Sequence, residues 1–486
     1  VEDGNTASDF EPEEVRRRGS TQVSLIPCVH DGHKINFLDT PGFDDFLGEM
    51  LCGLRVADSA VLLVAAQAGA EVGTERAWSM CEERKLPRLF FVNKMDRENA
   101  DFGRAVQGIQ KLFGRKCVPV QLPVGAQQGF KGVVDLLKPP ADLPGTLAEE
   151  VKAGREQLTE AVAETDDALA TKYLEGGALS DEELHQGLQK GVLAGQLVPI
   201  LAGAAYQNVG SRELLEAVVK YLPSPAEAQP VQGTNPSTKQ KLEVKPDAAG
   251  PLATLVFKTT ADPHVGRISF FRVYAGTLRS DSQAWNANKG QQERIGQLFI
   301  LRGKAQELIE SLVAGDIGAA NRLTATATGD TICQRDQPVT LDWTRFPVAN
   351  HTVAIYPKTK ADLDKMSTAV NRILEEDPSL RLSREQDTNE ILLSGLGDVH
   401  VEVAVEKTRR KFATEITIQP PKIPYKETIT AGTKVEYKHK KQTGGHGQYG
   451  HVHIRLEPLK RGQGFEFVDE IVGGVVPGKF IPAVEK

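Results

Sequence analysis

Residues 34–42, KINFLDTPG, and residues 89–96, LFFVNKMD, decide the fold. In each, an apolar run of strand length ends on a polar tetrapeptide built for a turn. The runs at 61–65 (VLLVA) and 197–202 (LVPILA) have the same texture. Continuous apolar runs of this length fit strands of a parallel sheet covered on both faces. Helix-like stretches at 74–84 and 213–221 follow two of these runs. Strand alternating with helix predicts a doubly wound α/β domain, in which ligands bind beyond the carboxyl ends of the strands.

The tetrapeptides fall at those ends. In the first, Asp39-Thr40-Pro41-Gly42, the aspartate can hold Mg²⁺ through water, and Gly42 lets a backbone N–H approach a terminal phosphate. The same four residues are also good turn chemistry. In the second, Asn93-Lys94-Met95-Asp96, the Asp96 carboxylate can accept from N1–H and the exocyclic amine of guanine, a donor pair that adenine lacks. A site built that way rejects the wrong base, because a mismatch leaves buried polar groups unpaired. Asn93 can donate to the base edge or tie neighbouring loops, and the stem of Lys94 can lie over the base plane. A turn capped by Asn and Asp reads the same way. Gly203-Ala204-Ala205 follows the run at 197–202, and small residues there let a backbone N–H reach the guanine oxygen, although such a triplet is common after strands.

Further out, residues 118–195 interrupt the alternation with a strand signal at 131–136 and charged helices, which predicts an inserted subdomain. The α/β domain is expected to span residues 1–224. Residues 225–250 are poor in apolar side chains and read as a linker or mobile loop. Residues 251–345 carry alternating strands with glycine turns (LATLVFKTT, RISFFRVYAG, DIGAA), which suggests a small β-barrel. Residues 346–422 alternate strand and helix as a compact α+β unit, and a last unit runs through 423–486.

The bulk numbers agree with several domains. The chain has 486 residues, 40% hydrophobic and 25% charged, with a formal net charge of -7. That balance is ordinary for a globular protein and argues against a protein that coats nucleic acid without selectivity. Cys28, Cys52, Cys81, Cys117 and Cys333 show no CxxC spacing, which predicts reduced thiols and no cysteine zinc site. No apolar run approaches 18 residues, so no membrane span is expected. The lone histidines His30, His33 and His264 read as surface or loop residues. The chain begins at Val1 and ends at Lys486 without a leader or closing tail, and is read as a fragment.

In this order and spacing, the three motifs resemble those of translational GTPases, and the insertion before Gly203 resembles the elongation factor G branch. Residues 16–21 (RRRGST) are similar to the switch segment of that family, with Thr21 at the position of its Mg²⁺-binding threonine. Residues 393–400 (LSGLGDVH) are similar to a third-domain motif, and residues 439–450 (HKKQTGGHGQYG) to a fourth-domain loop. In that loop Lys440, Lys441, His446 and Tyr449 combine charge for phosphates with a ring for stacking; read from composition alone, it is also a solvated hairpin.

The resemblance implies GTP and GDP as ligands with Mg²⁺, the ribosome with its tRNA–mRNA region as partner, a cytoplasmic monomer, and GTP-driven translocation or ribosome recycling. A ribosomal protection protein, or a ribosome-binding regulator with weak hydrolysis, is the alternative. Two departures matter. The phosphate loop G-x-x-x-x-G-K-[ST] is absent, so these residues alone are expected to bind GTP weakly. Phe43 stands after DTPG where the family's main branch has the histidine that positions the attacking water, as in its second-paralogue branch. Phe43 also reads simply as an apolar residue packing beside Phe46.

Overall fold

The computed structural model describes residues 6–262 and 266–486, so His264 lies outside the described residues. The chain forms two units, Val1–Pro421 and Lys422–Lys486.

In the first unit, α1 (Pro12–Arg17) precedes the hairpin β1 (Ser24–His30) and β2 (His33–Asp39). Then come α2 (Leu47–Val56), β3 (Ala60–Ala65), α3 (Val72–Glu83), β4 (Arg88–Asn93), α4 (Phe102–Phe113) and β5 (Cys117–Pro119). The insertion holds a hairpin, β6 (Gln121–Val124) and β7 (Gly132–Asp135), and three helices, α5 (Gly145–Ala163), α6 (Asp167–Leu174) and α7 (Asp181–Leu193). The chain returns through β8 (Val198–Ala202) to α8 (Ser211–Tyr221).

The sheet order is β3-β4-β8-β5, every pair parallel. The reason β4 is apolar without a break is that both faces are covered. Leu89 and Phe91 face a core made with the inserted subdomain and α8, while Phe90 and Val92 face Trp78, Ile109 and Ile200. Each fully buried Phe or Leu of this kind stabilises the sheet by roughly 1.5–3 kcal/mol over leaving it exposed.

One strand differs from expectation. Residues 34–39 do not join the parallel sheet: β2 pairs antiparallel with β1, from Ser24↔Asp39 to His30↔His33. The pairing is local, for Asp31 and Gly32 both have positive φ, 47° and 76°, the backbone of a tight two-residue hairpin turn.

Residues 225–250 also differ from a mobile loop. Val231–Thr234 pairs with Lys241–Val244 and with Thr340–Leu341. Asn235 closes the turn by accepting from Ser237 and Thr238 N–H groups, so polar residues here make a hairpin rather than a spacer.

Beyond it, eight antiparallel strands form one sheet around a core that draws Val256, Phe271, Leu298 and Ile332 from across its width, joined by Leu278 and Leu312 of a separate two-stranded ribbon. The α+β part follows, with the sheet order Arg381–Arg384, Ile391–Gly395, His351–Pro357, Ile416–Gln419. Helices α9 (Leu363–Glu376) and α10 (Asp398–Phe412) pack on it through Met366, Val370, Ile373, Val401 and Ala404. The polar strand Arg381–Arg384, three of its four residues exposed and one half-buried, gave no sequence signal.

In the second unit, Thr433–Gln442 and Gly447–Leu456 form a ten-residue antiparallel hairpin, followed by irregular chain and α11 (Ile481–Glu485).

Candidate functional site

Strands β4 and β8 end side by side, with Val92 opposite Ala202, so the loops after them meet. Asn93 joins them: its Oδ1 accepts from Lys94 N at 2.7 Å and from Ala205 N at 3.0 Å. The backbone adds Met95 N to Gly203 O at 3.1 Å and Gly203 N to Val92 O at 2.9 Å. Met95 is fully buried and anchors the loop in the core below. Lys94 takes φ 62°, a left-handed conformation rare for a side-chain-bearing residue and held only where the surroundings fix it. This frame presents Asp96, half-buried, and Lys94, exposed, at the rim of the sheet.

Gly203 has a reason to be glycine: a Cβ there would overlap the Phe91 ring and lie 2.7 Å from Val209 O. The N–H groups of Ala204 and Ala205 are taken by Val209 O, at 2.9 Å, and Asn93 Oδ1. A guanine oxygen at this loop would therefore compete with an internal bond.

Asp39 ends β2. Burial pushes its carboxyl above the usual aspartate range, against the pull of a hydrogen bond with Ser8. Thr40 is half-buried, Pro41 buried and Gly42 exposed with open space above it. Phe43 is 69% exposed and does not pack into the core beside Phe46. Its ring instead reaches towards Gly19 of the segment after α1, where a Cβ at 19 would sit 3.7 Å from the ring.

Phe46 is buried and meets the His400 ring edge-on, with centroids 5.9 Å apart. Asp45 completes this contact. Its Oδ2 accepts from His400 N at 3.1 Å, so a carboxylate from the segment after DTPG caps the N-terminus of α10. Gly397 leaves room for that carboxylate; a Cβ there would overlap it.

His400 Nδ1 accepts from Leu396 N at 3.0 Å, which leaves Nε2 as the protonated nitrogen facing Asp377 Oδ2 at 2.8 Å. Burial alone would raise the Asp377 carboxyl, but bonds from His400 and Ser379 hold it well below the usual range. Neither Asp45 nor Asp377 was singled out from sequence. LSGLGDVH was the visible signal, while its partners lie far off in the chain.

Thr21 is buried and its N–H donates to Glu14 Oε1 at 3.0 Å, with its hydroxyl 3.4 Å from the same oxygen. Burial pushes the Glu14 carboxyl up. The donor set of Thr21 and Asp39, a hydroxyl and a carboxylate, suits a magnesium ion. In this arrangement, however, each is engaged elsewhere in the protein. Helix α1 is fastened to α10 by charge: Arg17 lies 3.2 Å from Glu402, Arg410 lies 2.8 Å from Glu13, and Arg16 pairs with Glu406.

In the second unit, Lys440 and Lys441 sit at the end of a strand rather than in a loop, opposite Tyr449 and Gln448. Lys440, Lys441, His446 and Tyr449 are all exposed, Tyr449 at 66%. His446 lies in the turn between the strands. Lys438 Nζ is 5.9 Å from the Tyr449 ring centroid, so cation and ring share one face.

Known family models match successive parts of the chain. Residues 1–224 match the model of the elongation factor Tu GTP binding domain and residues 251–335 that of elongation factor G domain 2. Residues 346–420 match elongation factor G domain III, and residues 421–486 elongation factor G domain IV. A crystal structure of a protein from Thermus thermophilus aligns with the whole chain at 32% identity and a TM-score of 0.81, and the chain covers 71% of that protein. Among the described residues no helix is long and apolar enough to cross a membrane. With a guanine-type loop pair on a parallel sheet, a β-rich domain and two further factor-specific domains in sequence, the chain belongs to the elongation factor G family of translational GTPases.

Proposed function

We propose that this GTPase acts on the ribosome in the cytoplasm, as a monomer, coupling GTP hydrolysis to movement of tRNA and mRNA or to ribosome disassembly. The observation that carries the ribosome reading is the exposed Lys440, Lys441 and Tyr449 surface, on a hairpin of the same chain that holds the guanine-type loops. Lysines on such a face meet phosphate oxygens and the ring offers a stacking surface.

At the nucleotide, Asp96 reads the guanine edge, the stem of Lys94 covers the base, and Asn93 keeps both loops in register. Met95 holds the loop from below, while Gly203, Ala204 and Ala205 shape the wall beside the base. Asp39, Thr40, Pro41 and Gly42 face the terminal phosphate. Asp39 and Thr21 are the residues that would hold Mg²⁺, which when bound neutralises phosphate charge. Thr21 reaches that role only by leaving Glu14. Phe43 cannot orient an attacking water by hydrogen bonding, and its exposure beside Gly19 supports a second reading, a ribosome-bound regulator that turns over slowly.

Co-sedimentation with ribosomes tests the partner. The full-length protein should pellet with ribosomes in a non-hydrolysable GTP analogue. Replacing Lys440 and Lys441 together by alanine should weaken that binding by about tenfold or more, at roughly 1 kcal/mol per lost phosphate contact. Unchanged pelleting of the double variant would remove these lysines from the interface.

A further inference from the structure

The hairpin of the second unit carries a different chemistry further down the same face. Glu436 lies opposite His453, and Lys438 opposite His451. Side chains alternate along strands, so Glu436, His451 and His453 project from one side of the ribbon. His453 Nδ1 stands 3.4 Å from Glu436 Oε2, and His451 Nε2 stands 3.5 Å from the same oxygen. One ligand atom from each of the three lies within 4.8 Å of the others. The two imidazole centroids are 4.7 Å apart, with the rings tilted by 44°.

These separations are long for hydrogen bonds, which run from about 2.7 to 3.2 Å for N–H to oxygen. They match another geometry. A tetrahedral ion with nitrogen and oxygen ligands at about 2.1 Å holds neighbouring ligand atoms about 3.4 Å apart. The carboxylate is already at that distance from both imidazoles. The side chains of Glu436 and His453 are 65% and 70% exposed and that of His451 30%, so ion and solvent can both reach the cluster. Two imidazoles and one carboxylate suit zinc and its neighbours, whereas magnesium and calcium take oxygen ligands. The cation across from His451, Lys438, has its Nζ 5.9 Å from the Tyr449 ring.

We propose that Glu436, His451 and His453 bind one divalent transition-metal ion of the zinc class, with solvent at the fourth position. The sequence carries the signal only in part. His451-x-His453 places two imidazoles on one side of a strand, and only the hairpin register brings Glu436 to them.

Metal-free full-length protein titrated with zinc chloride against a chromophoric chelator tests this. The wild type should show a saturable zinc site. His453→Ala and Glu436→Gln should each lose at least about tenfold in affinity for it. His33→Ala, which removes an exposed histidine in the other unit, should bind like wild type. Excess magnesium chloride should not displace the zinc. Absence of a saturable site, or equal zinc affinity in the wild type and both ligand variants, would overturn the proposal. The affected side chains take no part in the backbone pairing of the hairpin, so loss of binding would not arise from loss of the fold.

Discussion

In the proposed nucleotide site, Asp96 and Asn93 would divide the work of base recognition between them. Asn93 is a structural tie whose partner, Ala205, lies 112 residues on. Asp96→Asn in the full-length protein should reverse the donor requirement, so that xanthine nucleotides, which offer an acceptor at the exocyclic position, replace guanine nucleotides. The change in the ratio of affinities should reach about a hundredfold or more, as for sites built on a specific hydrogen-bond pair. A nucleotide-competition assay reads it, and a variant that still prefers guanine would remove Asp96 from the site. NKMD was legible because its chemistry is local. The choice of Ala205 as the partner in the Asn93 tie, the close approach at Gly203 and the outward turn of Phe43 were not, because each depends on a neighbour brought by the sheet.

Among the elements, the junction between the segment after DTPG and α10 stands out for its polar detail. Asp45 caps the helix, His400 ties the helix to Asp377, and Phe46 packs on the imidazole. The Asp377 carboxyl is held below its ordinary range, so it binds fewer protons in the folded than in the unfolded chain at mildly acid pH. The stability it contributes is therefore present above the unfolded carboxyl pKa of about 4 and is lost as pH falls below it. Urea midpoints of the wild type should fall between about pH 4 and pH 2 more steeply than those of Asp377→Asn. The variant should also be less stable at pH 7, because His400 then faces a neutral partner. Parallel pH profiles would show that this pair does not carry the linkage. The strands of the parallel sheet were readable because two-sided burial makes them apolar throughout. The placement of residues 34–39 was not, since the Asp31-Gly32 turn pairs them with Ser24–His30 instead. The hairpin at 231–244 carries little sequence signal because its turn is polar and its strands are half-exposed.

Across the first unit, charge links the domains. Glu49 of α2 accepts from Val23 N and pairs with Lys258 of the β-rich domain, both side chains buried, and Arg272 of that domain meets Asp58 beyond α2. Burial alone would lower the Lys258 pKa, yet the neighbouring carboxylates raise it, so the ammonium stays charged where an unpaired charge would be costly. Glu11 and Glu13, flanking and within α1, reach Arg410 of the third domain. The segments around Thr21 and Phe43 thus touch both neighbouring domains, the arrangement expected of a machine whose nucleotide state is felt at a distance. Domain order was legible from texture changes along the chain; these contacts, between residues hundreds of positions apart, were not. The proposed function rests on GTP turnover governed by the ribosome. It is tested most directly by GTP hydrolysis of the full-length protein with and without ribosomes. Turnover should be stimulated by ribosomes, with Phe43→His raising the stimulated rate by at least about tenfold, in the range of a single positioned catalytic group. A rate that ribosomes leave unchanged in both proteins would contradict it.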